Sequence, residues 1–268
     1  MSLAYLRHLA RLGTADIHPW GAAGTAALLA ALDVQPGVRV LELGCGTGQT
    51  LLRLAAGNQA TVIGVELLPE MLAAAQQRLR LAGRLPVALV RGRGERLPLA
   101  ANSVDRVVTE SVLGFQDTVV AEQMLAEVWR VLRPGGLYVA NEAVWRGGVP
   151  AETAAALNAR SLADFGLRHA TDRLWTAAEW RQVMAAAGFE LLSVEVMRLE
   201  LRRDMAEGPA RLYRWRGWLH PGLLWQRWQY RRRLRRHAVM MRAWHEEDVI
   251  EGCLFVLRKP ETVGGGNS

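Results

Sequence analysis

Apolar residues along this chain fall into short blocks, each stopped by a charge, a glycine or a turn residue. Blocks at 38–43, 60–66, 87–91, 104–110, 137–142, 189–196 and 252–257 have the length and composition of strands. Longer stretches near 48–56, 70–82, 118–132, 152–164 and 177–187 predict helices, the last of them stopped by Gly188. Strand and helix alternate, which predicts an α/β fold: a parallel sheet with right-handed crossovers. The longest apolar run, around 26–32, is far too short to span a bilayer.

The first strand-to-helix junction carries the most chemistry. It reads Val38-Arg39-Val40-Leu41-Glu42-Leu43-Gly44-Cys45-Gly46-Thr47-Gly48, an apolar strand, an acid, then glycines at alternate positions. Glycine lets the backbone turn sharply and approach a ligand closely, because no Cβ intervenes. Ligands of open α/β sheets sit at this edge, outside the carboxyl ends of the strands. Strand two then ends on Glu66, where a carboxylate is placed to accept from two ribose hydroxyls. A dinucleotide site uses G-x-G-x-x-G and seats a pyrophosphate on a helix N-terminus. The pattern here is E-x-G-x-G-x-G, and Glu42 directs negative charge at the turn. That suits a cationic ligand.

This junction resembles motif I of the class I S-adenosylmethionine-dependent methyltransferases, and the resemblance continues. Leu67-Leu68-Pro69-Glu70-Met71-Leu72 is similar to the family's entry into its second helix. Gly92-Arg93-Gly94-Glu95-Arg96-Leu97-Pro98 is similar to its G-D-A-E-x-L-P loop, and Ser103–Thr109 to its fourth strand. Val128-Trp129-Arg130-Val131-Leu132-Arg133-Pro134-Gly135-Gly136 resembles its entry into strand five. Gly252–Pro260 resembles the closing strand of the ubiquinone/menaquinone-type and related small-molecule enzymes. Together these cover roughly 15–197 and 250–260. The resemblance implies a Rossmann-like seven-stranded sheet, mostly parallel, with an antiparallel last strand inserted beside strand six. It implies S-adenosyl-L-methionine as cofactor, bound by Glu42, Gly44, Cys45, Gly46, Gly48, Glu66, Leu67, Gly94, Glu95 and Glu110. One position departs from the pattern. Arg93 stands where the family has an Asp that holds the adenine amino group, and a guanidinium offers no acceptor. Glu95 or a backbone carbonyl is left for that role, and the Gly94 amide can still meet the ring.

Candidate acceptor-side residues come from loops on the same edge. Ile17-His18-Pro19-Trp20-Gly21, Glu110-Ser111-Val112 and Asn141-Glu142-Ala143-Val144-Trp145 resemble segments of a group of small-molecule methyltransferases. Glu110, Glu142 and His18 are the candidate catalytic residues. Either acid, at a strand end facing the cleft, could take a proton from the acceptor or hold a cationic amine. The competing readings are a structural carboxylate capping a helix for Glu110 and a satisfied turn residue for His18. Cys45 reads as a small filler of the turn, not a nucleophile. His169 and His220 have no supporting pattern, and no metal site is expected.

Charge changes the picture in one place. The 268-residue chain has a formal charge of +7. Between 198 and 244 thirteen arginines face Glu200, Asp204 and Glu207, a local +10 that leaves the remainder mildly acidic. The same stretch holds Trp215, Trp218, Trp225, Trp228 and Trp244, half of the ten tryptophans. Pro209 and Pro221 divide it into two predicted helical pieces, and Leu224, Trp225, Trp228, Leu234, Ala238 and Met241 share one face of the longer one. Three units are therefore expected: 1–197 with 249–260 as the catalytic domain, 198–248 as a helical insert, and 261–268 as a disordered tail. Four readings of the insert stand side by side: a packed lid over the acceptor pocket, an interfacial helix on an anionic membrane surface, an arginine lining for an anionic substrate, and a nucleic-acid contact. Two distant cysteines give no disulfide framework, so a cytoplasmic location is expected, with peripheral membrane attachment as the variant. The expected activity is methyl transfer to a small-molecule acceptor. The alternatives are a membrane-surface methyltransferase of a lipid or quinone-like acceptor, and a non-catalytic S-adenosylmethionine- or RNA-binding protein.

Overall fold

The computed structural model describes residues 3–12, 21–56, 60–83, 87–197 and 249–261, together with Trp225, Trp228 and Arg232. In chain order its elements are α1 (Ala4–Leu12), α2 (Gly21–Leu32), β1 (Arg39–Leu43), α3 (Gln49–Leu54), β2 (Thr61–Glu66), α4 (Pro69–Leu81), β3 (Ala88–Arg91), β4 (Val104–Glu110), α5 (Thr118–Val131), β5 (Leu132–Trp145), α6 (Ala151–Phe165), α7 (Ala177–Ala186), β6 (Glu190–Met197) and β7 (Ile250–Arg258). The strands form one seven-stranded sheet in the order β3-β2-β1-β4-β5-β7-β6. Neighbours from β3 to β5 run parallel, and β7 runs antiparallel to both β5 and β6. This is the Rossmann-like sheet with an antiparallel last strand that the sequence predicts.

Period-two alternation divides the core. Leu41, Val107, Tyr138 and Phe255 face α5 and α7, where Leu125, Val128, Trp180 and Met184 cover them. Val40, Val62, Val108 and Val139 face the other way, onto Leu28 and Leu32 of α2, Leu51 and Leu54 of α3 and Leu79 of α4. Local signals start the helices. Asp117 caps α5 by accepting from the Val120 amide at 3.0 Å, and Thr176 and Glu179 form a capping box on α7.

Two differences from expectation bear on the site. β5 extends from Leu132 to Trp145, beyond the predicted 137–142, because β7 pairs with it residue by residue out to Trp145. Glu142 is therefore inside a paired strand and not at its end. Helix α1 is absent from the sequence reading. Leu6 and Leu9 of α1, with Leu3 just before it, pack with Ala10 against Leu68 and Met71 at the start of α4. Met197 pairs with Gly252, and Ile250 with Trp145, so the chain leaves β6 and re-enters at β7 on the carboxyl edge of the parallel strands. The expected insert between those points lies outside the described residues apart from Trp225, Trp228 and Arg232, as do His18 and residues 262–268.

Candidate active site at the carboxyl edge of the sheet

The turn after β1 depends on its glycines. Gly44, Gly46 and Gly48 have φ of 75°, 50° and 78°, the left-handed region that other residues avoid. Two of them are also hemmed in. A Cβ on Gly44 would lie 2.5 Å from Val112 Cγ2, and one on Gly48 would lie 2.8 Å from Ala75 Cβ. Gly46 is different: a Cβ there would meet nothing within 4 Å, so the turn presents bare backbone to open space. Arg78 of α4 braces this turn from behind by donating from one Nη to both the carbonyl and the hydroxyl of Thr47.

Glu66 ties this turn to the next. Its Oε2 accepts from the Gly46 amide at 3.1 Å and its Oε1 from the Leu68 amide at 2.9 Å. Each carboxylate oxygen has a second lone pair, so both can still accept from a ligand hydroxyl. Burial raises the Glu66 carboxyl above its ordinary range, and the amides of Leu68, Gly46 and Leu67 pull it back down. Leu67 beside it is 39% exposed, an apolar side chain left open at the same edge. The turn amides are largely committed: Gly44 and Cys45 both donate to the Val65 carbonyl. A pyrophosphate would find few free amides here and a ring of carboxylates.

Below the turn lies a polar layer on the α2–α3 face of the sheet. Glu42 is 4% exposed, and its Oε2 has no hydrogen-bond partner among the described residues. Burial pushes its carboxyl well above the ordinary range, and the nearby carboxylates of Glu110 and Glu66 push it further. Burial raises the Cys45 thiol in the same way, with Glu42 and Glu66 adding to it, which disfavours the thiolate. Glu110 accepts from Thr25 of α2 at 2.9 Å, Thr50 of α3 at 3.0 Å and Asn141 of β5 at 3.2 Å. It holds three elements together beside the turn. Thr25, Thr50, Asn141 and Arg78 were not read as site residues in the sequence. Two of them left a signal: Asn141 belongs to the Asn141–Trp145 segment, and Arg78 takes the inward position three residues after Ala75 on an otherwise amphipathic helix.

Glu142 does not face a cleft. It is fully buried on the opposite face of the sheet, and its carboxylate accepts from the amides of Val112, Leu113 and Gly114 at 3.0–3.2 Å. Burial raises its carboxyl to about 6 against the pull of those amides. Three consecutive amides aimed at one buried anion fix the loop after β4, and that loop places Val112 against Gly44. The Arg93 departure also has an account. Its Nε donates to Glu95 Oε1 at 2.6 Å, while the rest of the side chain points outward. Gly94 lies close against Met124 of α5, whose terminal methyl would have to move to admit a Cβ there.

The glycine turn after β1 and the glutamate ending β2 lie together at the carboxyl edge of the sheet, where open α/β folds bind their ligands. Comparison with known proteins agrees. Residues 40–136 match the methyltransferase-domain family. The chain is 31% identical to the uncharacterized methyltransferase YodH of Bacillus subtilis over 206 residues, covering 76% of this chain and 81% of that protein. It is 36% identical to demethylmenaquinone methyltransferase of Shouchella clausii over 113 residues, only 41% of this chain and 47% of that one. In fold it is similar to phosphoethanolamine N-methyltransferase 2 of Haemonchus contortus solved with S-adenosyl-L-methionine, with a TM-score of 0.69 at 18% identity, covering 95% of this chain and 56% of that one. The chain belongs to the class I S-adenosylmethionine-dependent methyltransferases.

Proposed function

We propose that the chain methylates a small-molecule acceptor at the carboxyl edge of β1, β4 and β5. In this reading the donor's ribose rests on Glu66, the ammonium of its amino-acid tail lies beside Glu42, and its adenine lies between Leu67 and the Gly94–Glu95 turn. One observation carries it: two carboxylates flank an open glycine turn, half-buried Glu66 with a lone pair to spare on each oxygen and buried Glu42 with an acceptor unmet among the described residues. S-adenosylmethionine, when bound, supplies a methyl group already activated on sulfur. The chain is left to hold the acceptor in line and exclude water, and positioning of that kind contributes about 7–11 kcal/mol. Glu110 and Glu142 then act as positioning residues, each holding a wall of the pocket through hydrogen bonds it already makes. Titration calorimetry with S-adenosylhomocysteine tests the donor site. Saturable binding to the parent and its loss in Glu66→Ala support the reading, and a parent that does not bind sinks it.

A second acceptor class has its own support. Among the described residues Trp225 and Trp228 are 61% and 58% exposed, and the Arg232 guanidinium lies 5.7 Å from the centre of the Trp228 ring. Tryptophan beside arginine suits an anionic lipid headgroup layer. Demethylmenaquinone methyltransferases are among the relatives, and a quinone-like acceptor would be met at such a surface. No helix among the described residues is long and apolar enough to cross a membrane, so attachment by this route would be peripheral. Co-sedimentation with vesicles containing phosphatidylglycerol, but not with neutral vesicles, supports this class. No co-sedimentation with either leaves the freely diffusing acceptor.

A further inference from the structure

The buried residues of α4 are Met71, Ala75, Leu79 and one cation, Arg78. Desolvating a guanidinium is costly, and an apolar side chain in such a place often stabilises a fold as well or better. What Arg78 touches gives it a different use. Its Nη1 donates to both the carbonyl and the hydroxyl of Thr47, which is itself buried. Ala75, one turn earlier on the same face of α4, packs directly against Gly48. Thr47 therefore stands between two glycines of left-handed φ, with α4 pressed against it from behind. Glycine restrains its own backbone weakly, so hydrogen bonds set the peptide planes of this turn more than sterics do. The Gly46 amide donates to Glu66 at 3.1 Å, the Gly48 amide to the Cys45 carbonyl at 2.8 Å, and the Thr47 carbonyl accepts from Arg78. The Thr47–Gly48 peptide is thus held at its oxygen and at its nitrogen. Glu66 and Arg78 grip consecutive residues, the carboxylate taking an amide and the guanidinium a carbonyl, and both belong to the unit formed by β2 and α4.

We propose that Arg78 is a positioning residue for the donor: by fixing the Thr47–Gly48 peptide it holds the open backbone at Gly46 in the shape that receives the nucleoside. The proposal rests on the donor site described above. A Cβ on Gly46 would meet nothing within 4 Å, so the turn offers its backbone to a ligand one residue away from the Arg78 contact. Once the Thr47 carbonyl is released, the glycines on either side let the peptide rotate, and the Gly46 bond to Glu66 is disturbed with it. A donor must then re-form the turn as it binds, and the fraction of protein already in the competent shape scales its apparent affinity. Arg78 acts through Thr47 and makes no contact with the reacting atoms in this scheme.

Calorimetry with S-adenosylhomocysteine, run well below the unfolding midpoint of each variant, tests this. Arg78→Met fills much of the same space and loses both hydrogen bonds; it should bind about tenfold more weakly or worse. Arg78→Lys, with one compact donor group for the two acceptors, should recover part of that loss. Thr47→Val loses the hydroxyl and keeps the carbonyl, so it should lose less than Arg78→Met. The double variant Arg78→Met/Thr47→Val should be no weaker than Arg78→Met alone, because the two residues act as one unit. An arginine that only fills the fold would lower the unfolding midpoint and leave affinity at the parent's value. That outcome, or fully additive losses in the double variant, overturns this proposal alone. Should Arg78→Met fail to fold, parental affinity in both Arg78→Lys and Thr47→Val overturns it instead. If S-adenosylhomocysteine does not bind the parent, the donor-site reading falls and takes this proposal with it.

Discussion

Replacing Glu142 by glutamine and by alanine separates two things that one buried carboxylate does. The rise of its carboxyl from the ordinary 4.5 to about 6 corresponds to about 2 kcal/mol. The sign follows from proton counting. Between those two pH values the folded protein keeps a proton that the unfolded chain has lost. Stability therefore falls as pH climbs through this window, by about 2 kcal/mol in all, and the loss is complete near pH 7. Glutamine cannot titrate. The stability of the parent relative to Glu142→Gln should drop by about 2 kcal/mol from pH 4.5 to pH 7, whatever their offset. Burial and the nearby Glu142 push the Tyr138 hydroxyl far above this range, so it does not interfere. Alanine removes the acceptor itself and leaves the amides of Val112, Leu113 and Gly114 without it. Each unmet buried amide costs roughly 1–3 kcal/mol, so Glu142→Ala should lose about 3 kcal/mol or more at pH 4.5, where the ionisation penalty is absent. Urea unfolding followed by tryptophan fluorescence at half-unit pH steps measures both. Parallel pH curves for parent and glutamine variant would refute the buried titration. An alanine variant no less stable than the glutamine variant would refute the amide cradle.

Three further outcomes are expected. Glu66→Ala should weaken S-adenosylhomocysteine by one to a few powers of ten, since hydrogen bonds to a charged acceptor contribute about 1.5–3 kcal/mol each; calorimetric affinities equal to the parent's would remove Glu66 from the ribose site. Arg93→Asp should leave donor affinity unchanged or raise it, because the arginine serves only its exposed pair with Glu95; a large loss would assign Arg93 a positive role. Lys259→Met should destabilise the fold by about 3 kcal/mol with little effect on donor binding. The ammonium of this single lysine is buried and donates to Asn102 Oδ1, Trp129 O and Leu132 O at 2.7–2.8 Å, satisfying the end of α5, so a thermal midpoint within a degree or two of the parent's would contradict it.

Locality decides what the sequence could reveal. The seven strands are legible because each is a self-contained apolar block, and the glycine turn because its residues are consecutive. Glu66 is legible for the same reason: a strand end and the turn beside it lie within one βαβ unit. The role of Glu110 is not, because its partners sit 85, 60 and 31 residues away, on α2, α3 and β5. Nothing near Glu110 distinguishes a carboxylate that three elements share from one that faces a substrate. Register supplies the missing step. Glu110 pairs with Asn141 across β4 and β5, and Glu42 pairs with Val108, so alternation sets Glu42, Glu110 and Asn141 on one face and turns Glu142 to the other. That one-residue difference between Asn141 and Glu142 separates a side chain in the polar layer under the donor turn from one locked beneath the loop after β4. The same register explains why Glu42 is left unmet. Its neighbours on that face are two more carboxylates and valines, and its Oε2 finds no partner among the described residues.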